Sequence, residues 1–260
     1  MKKTRYYYIL SIQYLGFRYH GWQHQPNVPT VEQMFRKTLS FALSDPNAKV
    51  MSSGRTDAKV SAQQTVIELF TYTQIKNLEV LIGVLNYNLP ADIRILSAKE
   101  TNKDFNIIQS KKTKTYHYYF AFGEKFHPFC SALMCHLYGK LDIPLMQKAA
   151  KLFVGTKDFY SYTFQPKEET ITKSTIDECS IVENENMTAS FFPEKTYVLI
   201  VKGAGFKRNQ IRLMMGALID LGRHTMSWDY FLSTLKGENK LKLEHKAPAS
   251  GLILHSVVLQ

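Results

Sequence analysis

Residues 50–70 read VMSSGRTDAKVSAQQTVIELF, in which a polar loop separates two extended segments. The β-branched and aromatic residues from Thr65 to Phe70 favour a strand, and Val50 to Ser52 predict a shorter strand before it. Gly54 is typical of the loop between them. The stretch therefore predicts strand, loop and strand, and its loop carries one carboxylate, Asp57.

The residues before this stretch predict a strand, a loop and a helix. Tyr6–Tyr14 has the aromatic and β-branched composition of a strand, and the glycine-bounded segment after it is typical of a loop. Thr30 is the predicted N-cap of the helix, because Gln33 stands three residues on, as in a capping box. Apolar residues then recur at helical spacing, namely Met34, Phe35, Leu39 and Leu43.

The rest of the chain continues to alternate between extended and helical patterns. The predicted strands are Ile93–Ala98, Lys114–Phe122, Ile176–Val182, Met187–Phe192, Tyr197–Val201 and Leu252–Leu259, and the predicted helices are Leu78–Leu85, Leu145–Val154, Gln210–Leu221 and Trp228–Leu235. A polar, Lys-rich stretch, Thr101–Thr113, predicts the boundary between two α/β halves, residues 1–106 and 107–260. Two halves of similar build favour a functional site in a cleft between them.

The composition is that of an ordinary globular protein. With 260 residues, 45% of them hydrophobic, the chain can bury a core of normal size. Three cysteines are too few for a disulfide framework, which predicts a reducing, cytoplasmic location. The sequence offers neither a signal peptide nor an apolar run of membrane-spanning length, so a soluble protein is expected.

The charge balance favours a polyanionic partner. Lys and Arg number 33 against 22 Asp and Glu, which gives a formal net charge of +11. The electrostatic field of this positive charge attracts nucleic acid, and it would attract an anionic membrane surface in the same way. The 15 Tyr and 16 Phe favour nucleic acid, because aromatic faces among cations support unstacked bases.

Asp57 is the first candidate for chemistry. It lies two residues from Arg55, and a nearby guanidinium favours the ionised form of a carboxyl group. The alternative is that Asp57 ties its turn by hydrogen bonds to backbone amides, as aspartate commonly does in loops. On chemistry alone the second interpretation is favoured.

Two other patterns imitate cofactor or metal sites. Gly203-Ala204-Gly205 resembles part of a dinucleotide fingerprint, but Arg208 stands at the third glycine position. A second group could suggest zinc but lacks a paired knuckle: His127, Cys130, Cys135 and His136. Packing roles are expected for these residues, and neither a cofactor nor a metal is predicted.

Residues 53–62 resemble the catalytic loop of the tRNA pseudouridine synthase A family, in which Gly-Arg-Thr-Asp supplies the catalytic aspartate. The resemblance runs in order along nearly the whole chain. The further matches are Tyr14, Gly16, Gly21-Trp22-Gln23, Thr30-Val31-Glu32, Leu85-Asn86, Leu89-Pro90, Asp92, Arg94, Lys114-Thr115-Tyr116-His117-Tyr118, Leu152, Gly155, Asp158-Phe159, Phe206, Ile211-Arg212, Met214, Gly216, Leu218, Gly222, Ala247-Pro248 and Gly251-Leu252.

This resemblance implies a fold, a reaction and partners. The implied fold is the pseudouridine-synthase fold of the α+β type, a mostly antiparallel mixed sheet flanked by helices, with two similar halves around a central catalytic cleft. The implied reaction converts uridine to pseudouridine at three adjacent positions of the anticodon stem-loop of tRNA. No atom enters or leaves overall, so no cofactor is implied, and the family acts as homodimers on tRNA.

The resemblance also implies four catalytic residues. Asp57 is the nucleophile or base, and Arg55 fills the space left by the extruded nucleotide, with a surface arginine as the alternative. Tyr116 packs on the target base, although its position on the predicted strand is equally typical of a core aromatic. Arg212 is the salt-bridge partner of Asp57. The alternative is that the aliphatic part of the Arg212 side chain merely lies along the apolar stripe of its helix.

A second set of cations is expected to bind the RNA backbone: Arg18, Lys59, Lys114, Lys202, Lys207 and Arg208. The last three precede a predicted helix, whose N-terminus attracts phosphate. A solvated surface of the same charge is a nearly even alternative for them.

The chain departs from the family pattern at four positions. Lys59 and Ser61 replace the usual glycine and histidine of the loop, and Ile108 and Ser174 stand where arginines are common. A side chain at Lys59 could change the loop if the backbone requires positive φ. Retained catalysis with altered substrate choice is expected, and the alternatives are an RNA-binding, chaperone-like paralogue without turnover and a synthase that acts on a different RNA.

Overall fold

The computed structural model describes residues 4–237 and 240–260. The described residues form two compact units. The first contains residues 4–112 together with Leu254–Gln260, and the second contains residues 113–237 and 240–253.

The first unit is an antiparallel sheet with two helices. Its elements are β1 (Tyr6–Tyr14), α1 (Val31–Leu43), β2 (Lys49–Ser52), β3 (Ser61–Thr71), α2 (Leu78–Asn88) and β4 (Ile93–Thr101). β1 lies between β3 and β4 and is antiparallel to both, while β2 pairs with β3. α2 packs on β4 and on α1. The sequence predicted every one of these elements.

Helix α1 begins where the sequence predicts. The side chain of Thr30 accepts a hydrogen bond from the backbone N–H of Gln33 at 3.3 Å, so the predicted N-cap is confirmed. The helix buries Val31, Phe35 and Leu39 completely. Because these residues recur at helical spacing, they form one buried apolar face of the helix.

The described residues of the second unit combine β-strands with three α-helices. Its elements are β5 (Lys112–Gly123), β6 (Cys135–Tyr138), α3 (Ile143–Lys151), β7 (Gly155–Asp158), β8 (Lys173–Ile176), β9 (Glu178–Glu183), β10 (Tyr197–Gly203), α4 (Gln210–Gly222), α5 (Trp228–Lys236) and the start of β11 (Leu252–Leu259). Residues 254–259 of β11 belong to the first unit. β10 lies between β5 and β9, antiparallel to both, and β6 is parallel to β5. β7 and β8 pair separately. The predicted mixed, mainly antiparallel α/β fold is confirmed.

Helix α4 is the most buried helix of the second unit. Eleven of its thirteen residues are buried, and the exceptions are Arg212 and Asp220. A helix that is apolar nearly all round must lie inside the protein. Arg212 is half-buried, between buried neighbours on the same helix.

One predicted strand is wrong. Residues 187–192 form a loop, because the side chain of Asn184 turns the chain just before them. Its Oδ1 accepts hydrogen bonds from the N–H groups of Asn186 and Met187, and its Nδ2 donates to the carbonyl of Met187 at 2.7 Å. Within the described residues, the helices are all too short or too polar to span a bilayer.

Candidate active site

The loop between β2 and β3, residues 53–60, is named the Asp57 loop. Its backbone is tied to the segment that follows β1. The N–H of Trp22 donates to the carbonyl of Thr56 at 3.2 Å, and the N–H of Lys59 donates to the carbonyl of Tyr19 at 3.0 Å. Main-chain hydrogen bonds therefore fix this loop on both sides of Asp57.

Two glycines permit this close approach. A Cβ atom on Gly16 would lie 2.0 Å from the carbonyl oxygen of Val60, and one on Gly21 would lie 2.6 Å from that of Thr56. The N–H of Gly16 also donates to the hydroxyl of Ser61 at 2.9 Å. Ser61, one of the departures from the family pattern, thus helps to hold the loop.

The side chains of the Asp57 loop alternate between buried and accessible. Thr56 and Val60 are buried, Asp57 is half-buried and Arg55 is exposed. The hydroxyl of Thr56 lies 2.8 Å from that of Tyr14 in a buried hydrogen bond. The turn after Asp57 is closed by main-chain atoms, since the N–H of Val60 donates to the carbonyl of Asp57 at 3.2 Å. The loop therefore presents a carboxylate and a guanidinium on a fixed backbone.

The backbone conformation at Lys59 explains why a glycine is usual at this position in the family. Its φ is +66°, in the left-handed region that side chains seldom adopt. It is the third residue of the turn from Asp57 to Val60, where a type II turn requires positive φ. The lysine adopts this conformation, and its Nζ lies 5.9 Å from the ring centroid of Phe17.

Arg18 has an acidic partner in the same unit. Its Nε and Nη2 donate to the carboxylate of Asp92, and its Nη2 donates to the hydroxyl of Tyr19 at 2.8 Å. The Tyr19 hydroxyl donates to Asp92 at 2.7 Å. Burial opposes ionisation of Asp92, but the hydrogen bonds from Arg18 and Tyr19 outweigh it and lower the pKa of that carboxyl. The Arg18 side chain remains 60% exposed.

Tyr116 lies on β5, opposite Val201 of β10. It is 9% exposed, and its ring meets Phe206 edge to face, with centroids 5.3 Å apart. Tyr118, two residues on, is fully buried and donates from its hydroxyl to the carbonyl of Pro248 at 2.7 Å, and burial raises its pKa well above the usual value. The two tyrosines therefore differ, because Phe206 orients the first and the core encloses the second.

The guanidinium of Arg212 is held by two neighbours in the second unit. Its Nε donates to the carbonyl of Ala247 at 2.8 Å, and its Nη1 donates to Oδ1 of Asn209 at 3.0 Å. The segment around Ala247 is itself pinned to α4, because a Cβ atom on Gly216 would lie 1.9 Å from the carbonyl oxygen of His245. The orientation of Arg212 is thus set by hydrogen bonds and not only by its stem along the apolar stripe.

The other predicted RNA contacts lie near the start of α4 and on the strands beside it. Lys114 of β5 is half-buried opposite Gly203 of β10, and Lys202 is exposed next to it. Lys207 donates from its backbone N–H to Oε1 of Gln210 at 2.7 Å, and the guanidinium carbon of Arg208 lies 5.1 Å from the ring centroid of Phe164. In residues 4–237 and 240–260, no group of histidine, cysteine and acidic side chains is placed to hold a metal ion.

Four residues were given no role by the sequence, and each positions a predicted one: Asp92, Phe206, Asn209 and Ala247. Asp92 is separated from Arg18 by 74 residues, so no local pattern could pair them. Asn209 is closer to a detectable signal, because an asparagine directly before a helix is typical of an N-cap. Its side chain instead accepts from Arg212, three residues on.

Comparison with known proteins identifies the family. A family model described as tRNA pseudouridine synthase matches residues 149–258. The chain is 33% identical to tRNA pseudouridine synthase A of Chlamydia muridarum, over 96% of this chain and 90% of that protein. The proteins of the same name from Pelobacter propionicus and Limosilactobacillus reuteri are 34% and 32% identical, over 95% and 97% of this chain and 97% and 96% of theirs.

These matches extend over both units and almost from end to end, as the ordered motifs of the sequence predicted. They confirm the resemblance and the enzyme class, an isomerase of the pseudouridine synthase type. The chain belongs to the tRNA pseudouridine synthase A family.

Proposed function

We propose that this protein isomerises uridine to pseudouridine in the anticodon stem-loop of tRNA, with Asp57 as the nucleophile or base. The observation that carries the proposal is the Asp57 loop, which presents a half-buried carboxylate between the buried residues Thr56 and Val60. A fixed backbone of this kind reduces the reorganisation needed to bring a reacting group to its target. Family membership and the names of the relatives support tRNA as the substrate.

The chemistry needs one carboxylate and no external reactant. Uracil leaves C1′ of the ribose as the N1–C1′ bond breaks, the base turns, and C5 bonds to C1′. C5 loses its proton and N1 gains one, so the atoms balance. Asp57 either attacks C1′ and is displaced again, or removes a sugar proton to start a glycal route. Both routes require an ionised carboxylate and a nucleotide that has left its helix.

Three further residues are assigned roles within the proposal. Arg55 is exposed beside Asp57 and takes the space of the extruded nucleotide, where a planar cation can stack and meet phosphate. Tyr116, oriented by Phe206, supplies the ring that packs on the base. Arg212 supplies a second cation of fixed orientation. The RNA backbone is bound by the cations at Arg18, Lys59, Lys114, Lys202, Lys207 and Arg208.

The decisive experiment is hydrogen release from a tRNA transcript labelled at C5 of uridine. The wild-type protein should release the label, and Asp57→Asn should lower the rate by more than about a thousandfold, as removal of a nucleophile does in other enzymes. Asp104→Asn is the matched control, because Asp104 is an exposed aspartate of the same unit. A rate for Asp57→Asn within tenfold of that control would refute the role of Asp57.

The same assay separates the alternatives on substrate and turnover. Transcripts in which the anticodon-arm uridines are replaced by cytidine should release no label. Release from such transcripts or from ribosomal RNA fragments would indicate a synthase for other sites. Binding of tRNA without any release would indicate an RNA-binding paralogue that has lost catalysis.

We also propose a cytoplasmic homodimer, as the family resemblance implies. Sedimentation velocity of the purified protein should give the mass of two chains. A single 30.0 kDa species at micromolar concentration would contradict the dimer.

A further inference from the structure

A cluster of two cations on one aromatic ring lies beside the start of α4. It consists of Phe164, Arg208 and Lys246, here named the Phe164 cluster. The Nζ of Lys246 lies 3.8 Å from the ring centroid of Phe164, and the guanidinium carbon of Arg208 lies 5.1 Å from it. The N–H of Phe164 donates to the carbonyl of Arg208 at 3.1 Å, so the ring is fixed to the segment that carries one of its cations.

The charge of this cluster is not neutralised within the part of the chain that the structure describes. Neither Arg208 nor Lys246 forms an ion pair with an acidic residue of 4–237 or 240–260. Lys195 provides the contrast, because it lies over Tyr197 but pairs with Glu183 at 3.4 Å. Two like charges near one ring repel each other, and an anion that contacts both lowers that cost.

The cluster is directly connected to Arg212. Asn209, which follows Arg208, and Ala247, which follows Lys246, both accept hydrogen bonds from the Arg212 guanidinium. A phosphate bound by Arg208 and Lys246 would therefore be attached to the same two segments that orient Arg212. This position suits a contact that fixes the register of an RNA, since phosphate contacts position a nucleic acid without reading its sequence.

We propose that the Phe164 cluster is a phosphate-binding site for the RNA backbone, in which Phe164 holds the two cations in place. The proposal rests on the proposed function insofar as RNA is the polyanion. Arg208 was predicted to contact RNA, whereas Phe164 and Lys246 carry no sequence signal for it. The site belongs to RNA binding and not to the chemical step.

The test is the salt dependence of tRNA binding, measured by fluorescence anisotropy with the full chain. Arg208→Gln/Lys246→Gln should lower the slope of log Kd against log salt concentration by about 0.7 to 0.9 for each lost phosphate contact. Affinity at physiological salt should fall roughly tenfold. Phe164→Leu should lower the slope and the affinity in the same direction but by less. The charge-conserving double variant Arg208→Lys/Lys246→Arg should keep most of the wild-type slope.

The matched control is Lys148→Gln/Lys195→Gln. Both of these lysines lie over aromatic rings of the same unit, at 4.7 Å from Trp228 and 6.0 Å from Tyr197, and the double change removes the same net charge. Equal slopes for the two double variants would overturn the proposal. Binding is the readout, so absence of isomerisation in the wild type would defeat the proposed function while the cluster could still be confirmed.

Discussion

The Asp57 loop and Arg212 are both held rigidly, but by different kinds of contact. Main-chain hydrogen bonds to the segment after β1 hold the loop, and two glycines allow the backbones to meet. Arg212 is held through its own side chain, by the carbonyl of Ala247 and the amide oxygen of Asn209. The loop therefore depends on backbone space, whereas the arginine depends on the acceptors around its guanidinium.

This difference indicates which substitutions each part of the candidate site can tolerate. Lys59 replaces a glycine at a positive φ, yet the backbone N–H that ties the loop to Tyr19 is present in any residue other than proline. Side chains within the loop can vary so long as the path of the backbone is kept. Around Arg212, the side chain of Asn209 is itself the contact, so its replacement should be felt directly.

The largest effect on stability should come from filling the space at Gly16. Gly16→Ala places a Cβ atom against the carbonyl of Val60, which cannot move without breaking the turn of the Asp57 loop. We expect the free energy of unfolding in urea to fall by about 3 kcal/mol, the upper part of the usual range for overpacking, and hydrogen release to fall with it. Gly83→Ala is the control, because nothing lies within 4 Å of a Cβ atom there and alanine favours the helix. Equal stability of the two variants would contradict a backbone-limited loop.

A smaller effect, confined to catalysis, is expected at Asn209. Asn209→Gly removes the acceptor of Arg212 but keeps a residue that readily adopts the local φ of +57°. We expect kcat to fall about tenfold with little change in KM, since a hydrogen bond to a charged group contributes roughly 1.5–3 kcal/mol. Asn27→Gly makes the same change at a φ of +64° in the first unit. If both variants keep the wild-type kcat, Asn209 does not position Arg212.

The smallest effect is expected at Lys59. Lys59→Gly relieves the left-handed conformation but frees the unfolded chain, so the free energy of unfolding should change by less than about 1 kcal/mol. Lys59→Val should lower it by roughly 1–2 kcal/mol, because a β-branched residue is strained at a φ of +66°. Both values can be measured by urea denaturation. Equal stability of the glycine and valine variants would show that the turn does not require positive φ.

Local patterns predicted the elements whose signals are contained within a few residues. The N-cap at Thr30, the strand Tyr6–Tyr14 and the strand Leu252–Leu259 coincide with the observed elements. The predicted strand 187–192 failed because its apolar residues resemble a strand while the side chain of Asn184 imposes a turn. β6 was not predicted, since its four residues pair in parallel with a distant part of β5 and carry no pattern of their own.

The candidate site divides in the same way. The Gly-Arg-Thr-Asp motif and the ordered matches along the chain identified four candidate catalytic residues, namely Asp57, Arg55, Tyr116 and Arg212. Their roles stay predictions to be tested by substitution. The residues that orient them lie far away in sequence or act through the backbone. Phe206 against Tyr116 and Asp92 against Arg18 are contacts of this kind.

The sequence by itself determined the family, the enzyme class and the alternation of strands and helices, because motifs and hydrophobic periods are local and survive without any knowledge of packing. The tertiary structure decided that Lys59 has positive φ, that Ala247 and Asn209 hold Arg212, and that two cations share the ring of Phe164. These contacts depend on how separate segments meet in space. The pattern of residues within one segment does not determine which residues of a distant segment will contact it.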